Sequence, residues 1–190
     1  MAKIAIIVGH ARKGSFCEAL ARAYAEGAKA GGHDVNTFVT SRMAFDPILH
    51  FGYEKEQPLE TDLEAAHEAI FASEHLVFVL PLWLGTLPAI LKGFLERILI
   101  SGNVTTMKQG KFLKPLKGKS VRVVMTMGMP GFVYRWYFGA HSLKMLKRNI
   151  LKFVGISPVR STIFGYVEGV SAEKREAWLE QMTALGNGAQ

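Results

Sequence analysis

The sequence predicts an α/β fold: a parallel sheet of five strands covered by helices on both faces, in one domain spanning residues 1–190. Three observations carry that reading. Short runs rich in Ile and Val, apolar at nearly every position, alternate with longer stretches whose apolar residues recur at helical spacing. The first, third and fourth of these runs open into loops carrying glycine, proline or aromatic residues. A chain of 190 residues, 49% hydrophobic and 21% charged with a mean hydropathy of +0.15, has the material for one buried core and is neither disordered nor collagen-like.

Taken in order, Lys3–Val8 is an apolar run ending at Gly9, the kind of strand a parallel sheet buries on both sides. Ser15–Ala30 is Ala-rich, with Leu20, Tyr24 and Ala28 at helical spacing and Gly31-Gly32 as its stop. Asp34–Val39 is a second strand, followed by an irregular stretch from Thr40 to Glu60. Asp62–Ala72 is a helix with an acidic face, and Leu76–Leu80 a fully apolar strand. In the helix Leu87–Leu99, Thr86 suits the N-cap, Pro88 the first turn, and Ile90, Leu91, Phe94, Leu95, Ile98 and Leu99 form the core stripe. A basic loop runs to Gly118, and Ser120–Thr126 is the fourth strand. A helix over Ala140–Phe153, a strand over Pro158–Tyr166 and an amphipathic helix over Ser171–Leu185 close the chain. Strands alternating with helices at this spacing imply right-handed βαβ units, whose ligands sit at the carboxyl ends of the strands beside the switch point of the strand order.

Several classes of function drop out. Cys17 is the one cysteine, so no intramolecular disulfide or multi-thiolate zinc site is possible. The histidines at 10, 33, 50, 67, 75 and 141 show neither HxxxH nor HExxH spacing, and no metal is expected. The apolar run Ile4–Val8 is shorter than the roughly 7–15 residues of a signal peptide, so a cytoplasmic protein is expected. The longest uncharged apolar stretch, Leu76–Leu91, is broken by Pro81, Gly85 and Pro88 and falls short of the roughly 20 residues a membrane span needs.

The net charge of +7 is unevenly placed. Residues 1–96 carry 8 bases and 12 acids, whereas residues 97–167 carry 13 bases and no acid. Such a segment attracts an anion: a phosphorylated cofactor, an anionic membrane face, an acidic protein or a nucleic acid. Lys108, Lys111, Lys114, Lys117 and Lys119 lack the interleaved aromatics of a nucleic-acid platform, which favours a nucleotide cofactor or an acidic partner.

Three loops hold the candidate site. Gly9-His10-Ala11-Arg12-Lys13-Gly14-Ser15-Phe16 opens a helix, whose free N–H groups and dipole suit a phosphate, with Ser15 able to cap the helix and donate to the anion. Ser15 stands where a P-loop needs Lys, and no GxGxxG is present, so neither a nucleoside triphosphatase nor a resident nicotinamide dinucleotide is favoured. Cys17, just inside this helix, reads as a packing residue. Pro81-Leu82-Trp83-Leu84-Gly85 sets aromatic and apolar side chains where a flat heteroaromatic ring would need apolar contact. Thr126-Met127-Gly128 through Tyr137 brings glycines that admit a planar ligand, while Tyr134 and His141 offer a hydroxyl and an imidazole to stabilise negative charge.

With these loops in place, the chain resembles the flavodoxin-like NAD(P)H:quinone oxidoreductase family, which includes ancillary subunits of glutathione-gated potassium efflux systems. The resemblance runs from about residue 3 to 165 and is most specific in PLWLGTLPAILKGFLERIL, Pro81–Leu99. Supporting it are Gly9-His10 with Ser15-Phe16, Gly32-His33-Asp34-Val35, Phe45-Asp46-Pro47, and Thr126, Gly128 and Tyr134. The resemblance implies a three-layer sandwich with strand order 2-1-3-4-5, a homodimer, and two-electron transfer from NAD(P)H to quinones through FMN or FAD. FMN is preferred because no segment clearly offers an adenosine site. It implies that His10, Ser15, Phe16 and Cys17 line the flavin phosphate, Pro81, Leu82, Trp83 and Leu84 the ring, and Thr126, Gly128 and Tyr134 its pyrimidine edge. Hydride transfer would be ping-pong, with Tyr134 and His141 as the catalytic residues that steady the reduced flavin. The rivals are a flavin-binding regulatory subunit docking on a membrane transporter or other acidic partner, and a flavodoxin-type electron carrier, against which the basic charge counts.

Overall fold

Successive side chains of a strand point to opposite faces, so a strand apolar throughout is at home only where both faces are covered. In the structure, a computed structural model describing residues 1–52, 54–101, 107–108, 111–112 and 114–190, β1 (Lys3–Val8) and β3 (His75–Pro81) meet that condition. They pair in parallel with β2 (Asp34–Val39), β4 (Ser120–Met127) and β5 (Val159–Gly165) in the order β2-β1-β3-β4-β5. The five strands lie within a residue or two of their expected bounds, because each is an apolar or β-branched run between turn residues.

The helices are α1 (Phe16–Ala30), α2 (Thr61–Ala72), α3 (Ala89–Ser101), α4 (Gly131–Trp136), α5 (His141–Met145) and α6 (Ala172–Asn187). On one face Ile4, Ile6 and Val8 of β1 and Val77 and Val79 of β3 pack with Leu20 and Tyr24 of α1 and Met182 of α6. On the other, Ile7, Phe78 and Val123 pack with Leu63 of α2, Leu91 and Phe94 of α3 and Leu146 beyond α5. Helices α1 and α6 approach closely at glycines: a Cβ on Gly27 would strike the Thr183 carbonyl, and one on Gly186 the Tyr24 carbonyl.

Three features depart from the expectation. Helix α3 starts at Ala89 rather than Leu87, because Thr86 is not a cap but bridges back to Trp83. Helix α4 forms inside the third loop, where an aromatic-rich sequence shows no apolar period to announce it. The helix expected over Ala140–Phe153 is α5 followed by a π-helical stretch, Leu146–Leu151. The basic loop before Gly118 lies partly outside the described residues; within it Met107–Lys108 pairs antiparallel with Lys111–Phe112.

The irregular stretch after β2 is tied down by one cation. Arg97 of α3 is fully buried and donates to both Glu60 oxygens, at 3.1 and 2.9 Å, and to the carbonyls of Asp46 and Pro58 at 2.5 and 2.6 Å. Partial burial alone would raise the Glu60 pKa, but the bonds from Arg97 and the Asp46 N–H outweigh it and hold the carboxyl below its ordinary value. Removing Arg97 would leave the Asp46 and Pro58 carbonyls and the Glu60 carboxylate, about one-third exposed, without the donors it supplies. Arg97→Met is therefore expected to lower the unfolding free energy by about 3 kcal/mol in urea titrations; a loss under about 1 kcal/mol would show that the stretch is held by other contacts.

His75 at the start of β3 is buried with its Nδ1 on the Ser120 hydroxyl at 2.7 Å. Burial, reinforced by the charge of Arg122, pushes its pKa down to about 4. The unfolded chain therefore takes up a proton here before the folded one does, so stability is full above about pH 6.5 and falls as the pH drops toward 4. The loss attributable to His75 is about 3 kcal/mol at the acid end, and His75→Leu should flatten the pH profile of the urea midpoint across this window. An unchanged slope would remove His75 from the account.

Candidate functional site

The strand order reverses between β1 and β3, and the loops leaving their carboxyl ends diverge there. A cleft of about 390 Å³ opens at this point, within the range of small-molecule sites. The first loop supplies His10, Arg12, Phe16 and Cys17 to its wall, the second Pro81, Leu82 and Trp83, and the third Thr126, Met127 and Gly128. Loops far apart in sequence are held in register by bonds that continue the sheet: Gly9 N–H to the Val79 carbonyl at 2.8 Å and Leu82 N–H to the Thr126 carbonyl at 2.8 Å.

In the first loop, the Arg12 N–H donates to His10 Nδ1 at 3.0 Å, so the neutral ring carries its proton on Nε2. Burial, and then the Arg12 charge, lower the His10 pKa from its ordinary value, keeping that neutral form. The buried Thr40 hydroxyl ties the loop from below by donating to the carbonyls of Val8 and His10. Ser15 is the N-cap of α1: its Oγ accepts the Glu18 N–H, which leaves its own proton to donate. Glu18 in turn accepts the Gly14 N–H at 2.9 Å and pairs with Arg42 at 2.7 Å. The N–H groups of Phe16 and Cys17 precede the first intrahelical donors, those of Glu18 and Ala19 on the Ser15 carbonyl, and so are among the free donors of the helix end. The Cys17 thiol touches the Thr126 hydroxyl at 3.3 Å, and burial pushes its pKa up to about 11, so it is a neutral packing group at physiological pH.

The second loop is a tight turn. Trp83 and Thr86 exchange backbone hydrogen bonds at 3.1 and 2.9 Å, with Leu84 at φ +45° and Gly85 at φ +74° between them. Positive φ at both central residues is the requirement of a type I′ turn, which glycine meets freely and leucine at a cost of roughly 1 kcal/mol. The turn leaves Leu84 fully exposed at its tip, away from the cleft wall, and holds Trp83 half-buried with its ring edge-on to His10 at 4.9 Å between centroids.

The third loop divides its residues differently from the expectation. Thr126 and Gly128 are in the wall, and a Cβ on Gly128 would meet nothing within 4 Å, so the glycine borders open space. Tyr134 is not in the wall: it is buried, and its hydroxyl accepts the Leu143 N–H at 3.0 Å at the start of α5. Burial raises its pKa. His141 is exposed at the first residue of α5, outside the wall. Eight of the expected residues therefore converge, Ser15 sits just behind them as the cap, and Leu84, Tyr134 and His141 lie elsewhere.

Sequence reasoning missed the segment after β5. Val167, Glu168 and Arg175 complete the wall, with the Arg175 guanidinium donating to the Val167 carbonyl at 2.8 Å. Tyr166 N–H to the Met129 carbonyl and Val167 N–H to the Met127 carbonyl bind this segment to the third loop. No motif marks it; the parallel pairing of β5 with β4 brings it there. The cleft wall thus combines N–H donors, His10 and Arg12, with the apolar surface of Trp83 and Leu82 and the backbone of Gly128. That combination suits a ligand carrying both an anionic group and a flat apolar ring.

Comparison with known proteins agrees with the geometry. The chain is 29% identical over 154 residues to an uncharacterized NAD(P)H oxidoreductase of Haemophilus influenzae, covering 77% of this chain and 75% of that one. It is 28% identical over 175 residues to the rat NAD(P)H dehydrogenase [quinone] 1 (79% of this chain, 64% of that) and 27% identical over 144 residues to a Bacillus cereus FMN-dependent NADH:quinone oxidoreductase 2 (75% and 64%). The chain thus spans less than two thirds of the length of the last two. The structure of the NAD(P)H:quinone oxidoreductase from Methanothermobacter marburgensis superposes with a TM-score of 0.80 over 97% of this chain and 95% of that one, at 24% identity. The flavodoxin-like fold family matches residues 2–185, and the chain belongs to it.

Proposed function

We propose that this chain is a cytoplasmic, homodimeric, flavin-dependent NAD(P)H:quinone oxidoreductase with FMN as its cofactor. The observation that carries the proposal is the cleft at the switch point, where the His10 and Trp83 rings meet edge-on and Gly128 borders open space. The names of the Haemophilus, rat and Bacillus relatives support the activity, and the last supports FMN over FAD.

The residues present fit an FMN. The His10 Nε2–H, the Ser15 hydroxyl, the N–H groups of Phe16 and Cys17 and the Arg12 guanidinium would hold the phosphate, all donors and none an acid. Trp83, Leu82 and Pro81 would pack on the ring, and the backbone of Thr126–Gly128 would meet its polar edge. A bound flavin would supply the redox chemistry, two-electron transfer from NAD(P)H to a quinone. The chain would contribute binding and orientation: a neutral His10 would donate without competing for the ligand's protons, and the Trp83 turn would wall the ring. Tyr134 acts as a positioning residue, its hydroxyl fixing the start of α5 and hence the third loop.

Added FMN should remain with the protein through gel filtration, its absorbance should bleach with NAD(P)H, and it should recover with a simple quinone. Absence of retained flavin would break the proposal, and flavin that stays oxidised with both nicotinamides would refute the enzymatic part. Gly128→Val should leave the thermal midpoint almost unchanged, since its side chain meets only open space, while weakening FMN binding at least about tenfold in a fluorescence titration. Unchanged affinity would place the ligand elsewhere.

A further inference from the structure

Ser15-Phe16-Cys17-Glu18 spells a capping box, in which the cap hydroxyl accepts the N–H of the acid three residues on and that acid reaches back to the N–H of the cap. Only half of the box forms. The Ser15 Oγ accepts the Glu18 N–H at 3.3 Å, but Glu18 Oε2 passes over Ser15 and takes the Gly14 N–H at 2.9 Å. The N–H groups of Ser15, Phe16 and Cys17 are thereby left without an acceptor among the described residues, although Ser15 and Cys17 are both buried. Successive donors of this kind call for an acceptor from outside the chain.

The same arrangement sets a carboxylate beside those donors. Glu18 bonds the residue next to Ser15, its side chain is mostly sheltered from water, and its charge opposes an anion at the loop. Arg42 meets that charge. Its Nε and Nη2 both donate to the other oxygen, Oε1, at 3.1 and 2.7 Å. Among the described residues no other cation pairs with Glu18; Arg22, one turn on, pairs with Glu26 at 4.0 Å. The Gly14 N–H, and then Arg42, hold the Glu18 carboxyl below its ordinary pKa, so it stays ionised. Arg42 stands in the short 3-10 turn Thr40–Arg42 after β2, whose Thr40 donates to the Val8 and His10 carbonyls at 3.0 and 3.3 Å. One turn thus grips the first loop at both ends, His10 through Thr40 and Gly14 through Arg42 and Glu18.

We propose that Arg42 is a positioning residue for the anion held by the first loop: engaged on Oε1, it keeps Glu18 on Gly14, leaves the Ser15 N–H free for the ligand and offsets the carboxylate's charge. The proposal rests on the reading that this loop holds the phosphate of FMN. Without Arg42 the carboxylate would be uncompensated and free to complete the capping box on the Ser15 N–H, competing with the phosphate for that donor. The ion pair adds little to the fold itself, because the Arg42 side chain is half exposed.

Fluorescence titrations with FMN and with riboflavin, which lacks the phosphate, test the proposal. Arg42→Gln should weaken FMN binding about tenfold at low salt, change riboflavin binding less than about twofold and leave the thermal midpoint unchanged. The loss should shrink at about 1 M salt, where the Debye length is about 3 Å. Adding Glu18→Gln, whose amide oxygen still accepts the Gly14 N–H, should bring FMN affinity back to within about twofold of wild type. An equal loss for riboflavin would overturn the proposal, since it would make Arg42 a general support of the fold. So would a double variant no better than Arg42→Gln, which would remove the charge from the account. Wild-type protein that retains no FMN would overturn both this proposal and the function it rests on, whereas undiminished FMN binding by Arg42→Gln would overturn this one alone.

Discussion

Burial of β1 and β3 on both faces is the constraint from which the rest of this structure follows. A backbone N–H or carbonyl in such a strand has no water to turn to, so it must pair with a neighbouring strand. The ladder therefore runs to the last residue and continues into the loops, as Gly9 on Val79, Leu82 on Thr126 and Tyr166 on Met129 show. The loops at the carboxyl edge leave the sheet in a set register. Only where the strand order reverses do two loops part, and there the cavity opens.

Within that cavity the electrostatics are simple. The titratable groups deepest in the wall are kept neutral by burial: Cys17 as the thiol, His10 as an imidazole whose one proton is committed to Nε2 by the Arg12 N–H. Charge enters at the rim, from Arg12, Arg175 and Glu168. A site of neutral donors with two cations and one acid at its mouth favours an anionic group and leaves the protonation of what lies deeper undisturbed. Glu18, beside the first loop, is engaged by the Gly14 N–H and Arg42 and so would not oppose an incoming anion at full strength.

Strain and exposure gather at the same edge. Leu84, Ala140 and Tyr166 all hold positive φ without being glycine, and Leu84 and Tyr166 are also exposed apolar side chains. Each costs roughly 1 kcal/mol that packing does not return locally. Conformations of this sort persist where the surrounding structure over-determines them, and here the sheet ladder and the Met129–Tyr166 tie do so.

By itself the sequence determined the strands, the α1 and α3 helices and the first two loops, because these depend on patterns a few residues long. An apolar run between turn residues, a Ser before an Ala-rich stretch and a Pro-Ala step into an apolar stripe each act locally. Most of the cleft wall was legible for the same reason, since it lies at the ends of those elements. Three things were decided only by tertiary structure. Tyr134 stands in an aromatic-rich segment where nothing local tells an inward ring from an outward one, and the need of the Leu143 N–H for an acceptor turned it into the core. The contribution of Val167, Glu168 and Arg175 came from the pairing of β5 with β4 across some forty residues of chain. The irregular stretch after β2 carries no period at all, and its course follows from a buried Arg97 whose partners, Asp46, Pro58 and Glu60, precede it by 51 to 37 positions. Local periodicity encodes which residues must be dry; which of them meet is settled when the crossovers close and the remaining polar groups find partners.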